Sequence, residues 1–154
     1  METVEKSISI DAPQEVVWKA IADFQGIGEF HPYIKTVDLH TENNGGLGSK
    51  RTCHFNDGSD IDEEIIEWVD GEKYTINGSN FSLPINVLNG TVGVRTVDGM
   101  SEAYMKIEYQ PKFGLIGKLM STIMMKRALS KRIEGVLAGL NYLITNKKRA
   151  PRAA

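Results

Sequence analysis

Residues 114–144 read "GLIGKLMSTIMMKRALSKRIEGVLAGLNYLI", and this stretch decides the fold. Apolar side chains recur at Ile116, Leu119, Met120, Ile123 and Met124, then at Ile133, Val136, Leu137, Leu140 and Ile144. That spacing predicts a helix with one apolar stripe. Lys118, Lys126, Lys131, Arg132 and Glu134 fall mostly off the stripe. At about 1.5 Å per residue, a helix from Leu115 to Thr145 runs about 46 Å. A compact domain of this length has a radius of gyration of roughly 15 Å, so the helix crosses the whole molecule. Its natural counterpart is a large curved sheet. The first half of the stripe is rich in methionine, the side chain that adapts best to irregular contacts. A long helix in a curled sheet is one architecture that encloses a cavity. The same methionines, Met120, Met124 and Met125, serve equally well as a collapsed core.

The chain upstream supplies the sheet. Residues 2–11 alternate, with Val4, Ile8 and Ile10 on one side, which predicts a strand. Asp11 then stands where a helix cap belongs, and Pro13 falls in the first turn. "QEVVWKAIADF" follows as a short helix burying Val16, Val17, Ala20, Ile21 and Phe24. "QGIGEFHPY" is a break or a very short second helix, and "YIKTVDLH" alternates again. "ENNGGLG" is a turn. Then come "SKRTCHF", "DIDEEIIEWV" and "KYTINGS", separated by "NDGS" and "DGE". "INVLNGTVGVRTV" and "SEAYMKIEYQP" are joined by "DGM", and Asp-Gly between alternating runs marks a hairpin. In the last of these, Ala103, Met105, Ile107 and Tyr109 share a face. Successive hairpins with helices on one side make an α+β fold.

The totals narrow the function. The chain has 154 residues, the size of one ordinary domain, and 41% of them are apolar, enough for a proper core. A net charge of −2 argues against a general nucleic-acid binder. The lone Cys53 permits no internal disulfide and no cysteine zinc cluster, and it fits a reducing cytosol. The opening "METVEKSISIDAP" has no charged-then-apolar signal pattern, and no window approaches the ~20 apolar residues of a membrane span. His31, His40 and His54 fit no short zinc motif, and "GLIGKLMS" lacks the spacing of a phosphate loop.

The order of elements resembles the helix-grip fold of the START, polyketide cyclase/dehydratase and pollen-allergen-like (SRPBCC) superfamily. "SISIDAPQEVVWKAIADF" is similar to the family opening: a strand, Ala-Pro, then a helix bearing Val-Trp. "GSKRTCHFNDGSDIDEEIIEWVDGEKYTI" resembles the middle pattern of bacterial polyketide-cyclase-like members, a Gly-x-x-Arg strand turning into a strand that carries glutamate. "LPINVLNGTVGVRTVDG" and "YMKIEYQP" match the next two strands, except that Met105 stands where many members have tryptophan. The resemblance covers about residues 4–144. It implies an apolar cavity between sheet and long helix, holding a lipid, a polyketide, a hormone or another hydrophobic small molecule. Some members are cyclases or dehydratases, and many carry ligands without chemistry.

Arg51 and Glu63 are the sharpest polar pair. Counted from a turn near Asp57-Gly58, Arg51 lies opposite or diagonal to Glu63 or Glu64. A guanidinium facing a carboxylate makes a strong directional pair; on the outer face it is a solvated ion pair worth less than ~1 kcal/mol. If Arg51 points inward, so does Cys53, and His54 points out. The carboxylates of "DIDEEIIEW" point to both faces in turn, which predicts an acidic outer face rather than one shared site. His31, beside the short-helix break, falls where the family places part of its cavity rim. Tyr74, Tyr104 and Tyr109 are hydrogen-bonding candidates, with Tyr109 favoured because it shares a face with Met105 and Ile107. Trp18 and Trp68 read as packing anchors. Phe81 and Leu83, in the connection "SNFSLP", form a lid or a packed corner. Gly135 and Gly139 predict close packing of the helix on the sheet or the first helix.

The expectation is therefore one helix-grip domain over residues 1–146, with a seven-stranded antiparallel curved sheet around the long helix, and a basic flexible tail over 147–154. It binds a hydrophobic small molecule or lipid in a cavity lined by Met105, Ile107, Tyr109, Met120, Ile123, Met124 and Ala128. Arg51 and Glu63 orient the ligand. The alternative is a cyclase or dehydratase that uses His31 or Glu63 as general acid or base; a third reading is an interaction module switched by its ligand. No cofactor, metal, nucleic acid or integral membrane contact is expected, the location is cytoplasmic, and the chain is a monomer or a homodimer.

Overall fold

Alternation builds the first element: Val4 and Ile10 of β1 (Glu2–Ile10) are buried while Thr3, Glu5, Ser7 and Ser9 are exposed. The structure is a computed structural model that describes residues 1–112 and 118–153, with the backbone alone at 118–121. Helix α1 (Gln14–Ala22) follows β1, then a 3-10 turn at Gln25–Glu29. Six strands come next: β2 (Ile34–Leu39), β3 (Lys50–Phe55), β4 (Asp60–Val69), β5 (Lys73–Ser79), β6 (Ile85–Val97) and β7 (Met100–Pro111). The long helix α2 (Lys118–Asn146) ends the series. The strands form one antiparallel sheet in the order β1-β7-β6-β5-β4-β3-β2. This is the expected helix-grip α+β architecture, with a seven-stranded curved sheet against a long C-terminal helix.

Helix α2 lies against β1 and β7. Lys6 pairs with Glu134 at 3.3 Å and Lys126 with Glu2 at 2.6 Å, tying the helix to β1. Its own Leu129, Ile133, Val136, Leu137 and Leu140 form its buried face. Trp18 and Trp68 meet edge to face at 5.1 Å, so the two tryptophans do act as packing anchors.

Several local expectations need correction. Pro13, not Asp11, occupies the cap position of α1, and no side chain among the described residues caps it. Val16 is exposed and Trp18 takes its place in the buried face. A bulge between Ile34 and Thr36 breaks the alternation of β2, so Ile34 and Val37 both turn inward. The apolar stripe of α2 also breaks phase. At about 100° per residue, Met124 lies about 180° around the helix from Ile133, and Met124 and Ile123 are 68% and 53% exposed. The side chain of Met120 lies outside the described residues.

The two glycines of α2 do permit a close approach, to a different partner. A Cβ on Gly139 would run into the carbonyl oxygen of Phe30, and one on Gly135 would stand 2.8 Å from the Tyr33 hydroxyl. The helix therefore closes on the junction between the 3-10 turn and β2. The basic tail packs onto the same junction instead of fraying. Ala150 is buried and its N–H donates to Glu29; the Ala153 N–H donates to Pro32. Arg152 donates to the carbonyls of His31 and Ile34, and Arg149 to those of Gly28 and Lys35. Among the described residues no helix is long and apolar enough to cross a membrane.

Candidate functional site

The hairpin of β3 and β4 sets the polar core of the site. Its turn runs through Gly58, whose φ of 87° suits glycine. From there the register places Arg51 opposite Glu63 and Cys53 opposite Ile61. Arg51 and Cys53 point inward and are buried; His54 points out, where its ring bridges Asp38 and Asp60 at 2.7 and 2.6 Å.

Arg51 is engaged at every nitrogen. Nε and Nη2 both meet Glu63 Oε2, at 2.6 and 2.5 Å, and Nη1 donates to the Phe24 carbonyl at 2.5 Å. The guanidinium also lies over the Phe24 ring, 3.8 Å from its centroid. The Arg51 side chain is 1% exposed and that of Glu63 13%. Burial alone would lower the Arg51 pKa, but Glu63, helped by Tyr74 and Cys53, turns the net shift upward. The Cys53 thiol, 3.8 Å from the same carboxylate oxygen, is pushed up by burial and by Glu63. That describes an inert thiol.

Around this pair lies a cavity of about 110 Å³ between the sheet and α2. Ile76, Leu88, Val92, Met105 and Ile107 line it from the sheet; Leu129, Arg132 and Val136 line it from α2. Gly90 in β6 leaves room on the floor, and Leu83, 39% exposed, stands at the edge. Of the other expected residues, Phe81 packs on the core without lining the cavity. Tyr109, on β7 opposite Glu2 of β1, is fully buried and lines no part of it. Ile123, Met124 and Ala128 are exposed on the far side of the helix turn.

Two polar groups in the wall have no hydrogen-bond partner among the described residues. One is Nδ1 of His31, the other the hydroxyl of Tyr74. Burial, then the nearby charges of Arg132 and Arg51, lowers the His31 pKa from 6.5 to about 3. Its imidazole is therefore neutral at any physiological pH. The Tyr74 ring is held edge-on to Phe24 at 5.8 Å and stacked on Trp68 at 5.7 Å. Burial raises the pKa of its hydroxyl.

Arg132 is the residue the sequence pattern hides. It sits beside Ile133 and one turn before Val136, but its charge places it off the apolar stripe. Its side chain is half-buried in the chamber wall, as a long apolar stem with a charged head permits. The guanidinium stands over the rings of Tyr33 and Phe55, at 4.7 and 5.2 Å.

Chemically the site is an apolar chamber with one self-neutralised ion pair, two hydrogen-bonding groups without partners and one further cation. A few polar groups in a largely apolar wall is how small hydrophobic molecules are held and oriented.

The family described as "Polyketide cyclase / dehydrase and lipid transport" matches residues 1–144. Among solved structures, the chain is similar to the protein XoxI from Bacillus cereus, at 22% identity and a TM-score of 0.77, covering 96% of this chain and 98% of that one. It is similar to a protein from Thermobifida fusca at 16% identity, TM-score 0.77, covering 100% and 99%. It is also similar to the Zhui aromatase/cyclase from Streptomyces sp. R1128 at 15% identity, TM-score 0.76, covering 95% and 94%. At these identities the likeness speaks for the fold. No curated protein matches the sequence.

Proposed function

The chain belongs to the polyketide cyclase/dehydrase and lipid transport family, and on that premise we propose that it binds and carries a hydrophobic small molecule or lipid between the sheet and α2. The observation that carries this reading is the chamber itself: apolar on both walls, with its innermost charges, Arg51 and Glu63, paired to each other. The chamber is smaller than the ~300–1,000 Å³ of typical small-molecule sites. A ligand of ordinary size therefore displaces side chains, and Met105 and Leu83 at its edge are the adaptable ones.

The alternative is a cyclase or dehydratase, which needs a general base with real proton affinity. His31 is the better placed candidate, yet an imidazole with a pKa of about 3 is a weak base at neutral pH. Glu63 already accepts two bonds from Arg51 on one oxygen. Both groups fit better as fixed polar landmarks that orient a ligand than as proton carriers.

The test is native mass spectrometry of the purified chain with identification of any co-purified molecule, followed by titration with the neutral fluorophore N-phenyl-1-naphthylamine. The expected result is one bound hydrophobic molecule per chain and saturable fluorophore binding. Gly90→Val places new bulk in the floor, where a Cβ meets only Ile76 at 3.4 Å, and should weaken fluorophore binding several-fold without unfolding the protein. A chain that neither retains a molecule nor binds the fluorophore, or a Gly90→Val variant that binds it unchanged, refutes the proposal.

A further inference from the structure

Three charged side chains line the chamber, and two of them cancel. Arg51 is taken up by Glu63, which leaves Arg132 as the uncompensated charge. Among the described residues no carboxylate lies within ion-pair distance of Arg132. Asp57, in the turn between β3 and β4, feels its charge only at longer range. Two cations where α2 meets β1 are paired, Lys126 with Glu2 and Lys6 with Glu134.

The guanidinium is also positioned. Tyr33 and Phe55 hold it by their ring faces, and the Tyr33 ring is itself seated against α2 where Gly135 has no side chain. Contact through the flat face leaves the N–H groups at the guanidinium edge free to donate. The ring of His31 rests on the same two aromatics, with centroids 5.9 Å from Tyr33 and 6.0 Å from Phe55. Arg132 and the unpartnered Nδ1 of His31 therefore form one polar corner of the chamber.

We propose that this corner is an anion-binding subsite, and that the ligand is an apolar body ending in an acidic oxygen group such as a carboxylate. Arg132 supplies the charge and paired donors, and His31, as the Nδ1–H tautomer, supplies a second donor. An anion here answers the net positive charge of the wall and gives the idle imidazole nitrogen a partner. The proposal rests on the chamber being a ligand site, and it goes further by naming the head group. An alkyl acid and an aryl acid share that head group, so both are used in the test.

The experiment is displacement of N-phenyl-1-naphthylamine by decanoate against decanol, and by 2-naphthoate against 2-naphthol, at pH 7. Wild type, Arg132→Gln and Arg132→Lys are compared. A charged hydrogen bond is worth about 1.5–3 kcal/mol, so in at least one pair the acid should bind about 10- to 100-fold more tightly than its alcohol. Arg132→Gln should erase that preference by weakening the acid far more than the alcohol, and circular dichroism checks that the variant is folded. Arg132→Lys should keep part of the preference. The proposal is overturned if acid and alcohol bind wild type equally, if Gln weakens both alike, or if Lys loses the preference as fully as Gln. The carrier reading survives those results. If the neutral fluorophore itself does not bind wild type, the carrier reading fails and this one with it.

Discussion

Glu63→Leu should be among the most destabilising single changes in the molecule. It leaves the Arg51 guanidinium, 1% exposed, without its carboxylate partner, next to the Phe24 carbonyl and ring and near the neutral Tyr74 and Cys53. Stranding one member of a buried pair costs about 3–5 kcal/mol. For a chain of this size that lowers Tm by about 6–20 °C, at about 2–4 °C per kcal/mol. Arg51→Met should cost less, because the carboxylate left behind is 13% exposed and can take up a proton. The double variant removes both charges and should return to within about 2 kcal/mol of wild type. The cycle is measured by urea unfolding at pH 7, followed by circular dichroism and by fluorescence of the Trp18–Trp68 pair. The expected coupling between the two sites is about 2 kcal/mol or more. Single losses below about 1 kcal/mol, the scale of an exposed pair, or losses that simply add in the double variant, would refute the reasoning.

The two shifted histidines should tilt stability in opposite directions. His31 has its folded pKa depressed to about 3, mainly by burial. Protons therefore favour the unfolded chain; stability is full above pH 6.5 and falls as pH drops from there toward 3, by up to about 1.4 kcal/mol per pH unit. His31→Gln should flatten that acid limb in pH-dependent urea unfolding. His54 has its pKa raised by hydrogen bonds to Asp38 and Asp60, so its contribution is present below pH 6.5 and lost as pH rises through the folded value; His54→Gln should flatten the alkaline side, and salt should shrink the difference. Gly139→Ala should cost about 1–3 kcal/mol, because the Phe30 carbonyl is backbone and must shift. Gly135→Ala meets only the tip of the Tyr33 side chain and should stay within about 1 kcal/mol of wild type, helped by the propensity gain of alanine; equal losses at the two sites would contradict this. Deleting residues 149–154 removes the bonds onto Gly28, Glu29, Pro32 and Ile34 and should lower stability by at least about 1 kcal/mol, read by thermal unfolding.

The strands and their partners were legible because period-two alternation and Asp-Gly turns are local signals. Counting outward from Asp57-Gly58 put Arg51 opposite or diagonal to Glu63 or Glu64, and the register makes it Glu63; with Arg51 inward, His54 faces out as the alternation requires. The misreadings share a cause, which is that a pattern says which residues are apolar and not which phase or neighbour wins. Ile123 and Met124 continue an apolar run but lie off the face that Ile133 and Leu140 define. Tyr109 and Tyr74 are both buried, and alternation cannot tell which of them, on β7 or on β5, borders the chamber; Tyr74 does. Arg132 was missed because a charged residue beside an apolar stripe ordinarily faces water. Its seat depends on Tyr33 and Phe55, which lie far away in the chain. The tail has polar composition and no periodicity, and its order comes from backbone carbonyls that no sequence pattern reports.

The sheet order has a consequence for how the protein is made. Every neighbouring pair from β2 to β7 is consecutive in the chain, but β1, the earliest strand of this sheet, pairs only with β7, its latest. At about 5–20 residues per second, the hundred or so residues between them take about 5–20 s to leave the ribosome. Through that interval Val4, Ile8 and Ile10 have neither their strand partner nor α2 to cover them. Until β7 and α2 have emerged, the apolar face of β1 is therefore bare, and whatever shields it during synthesis must act from outside the sheet.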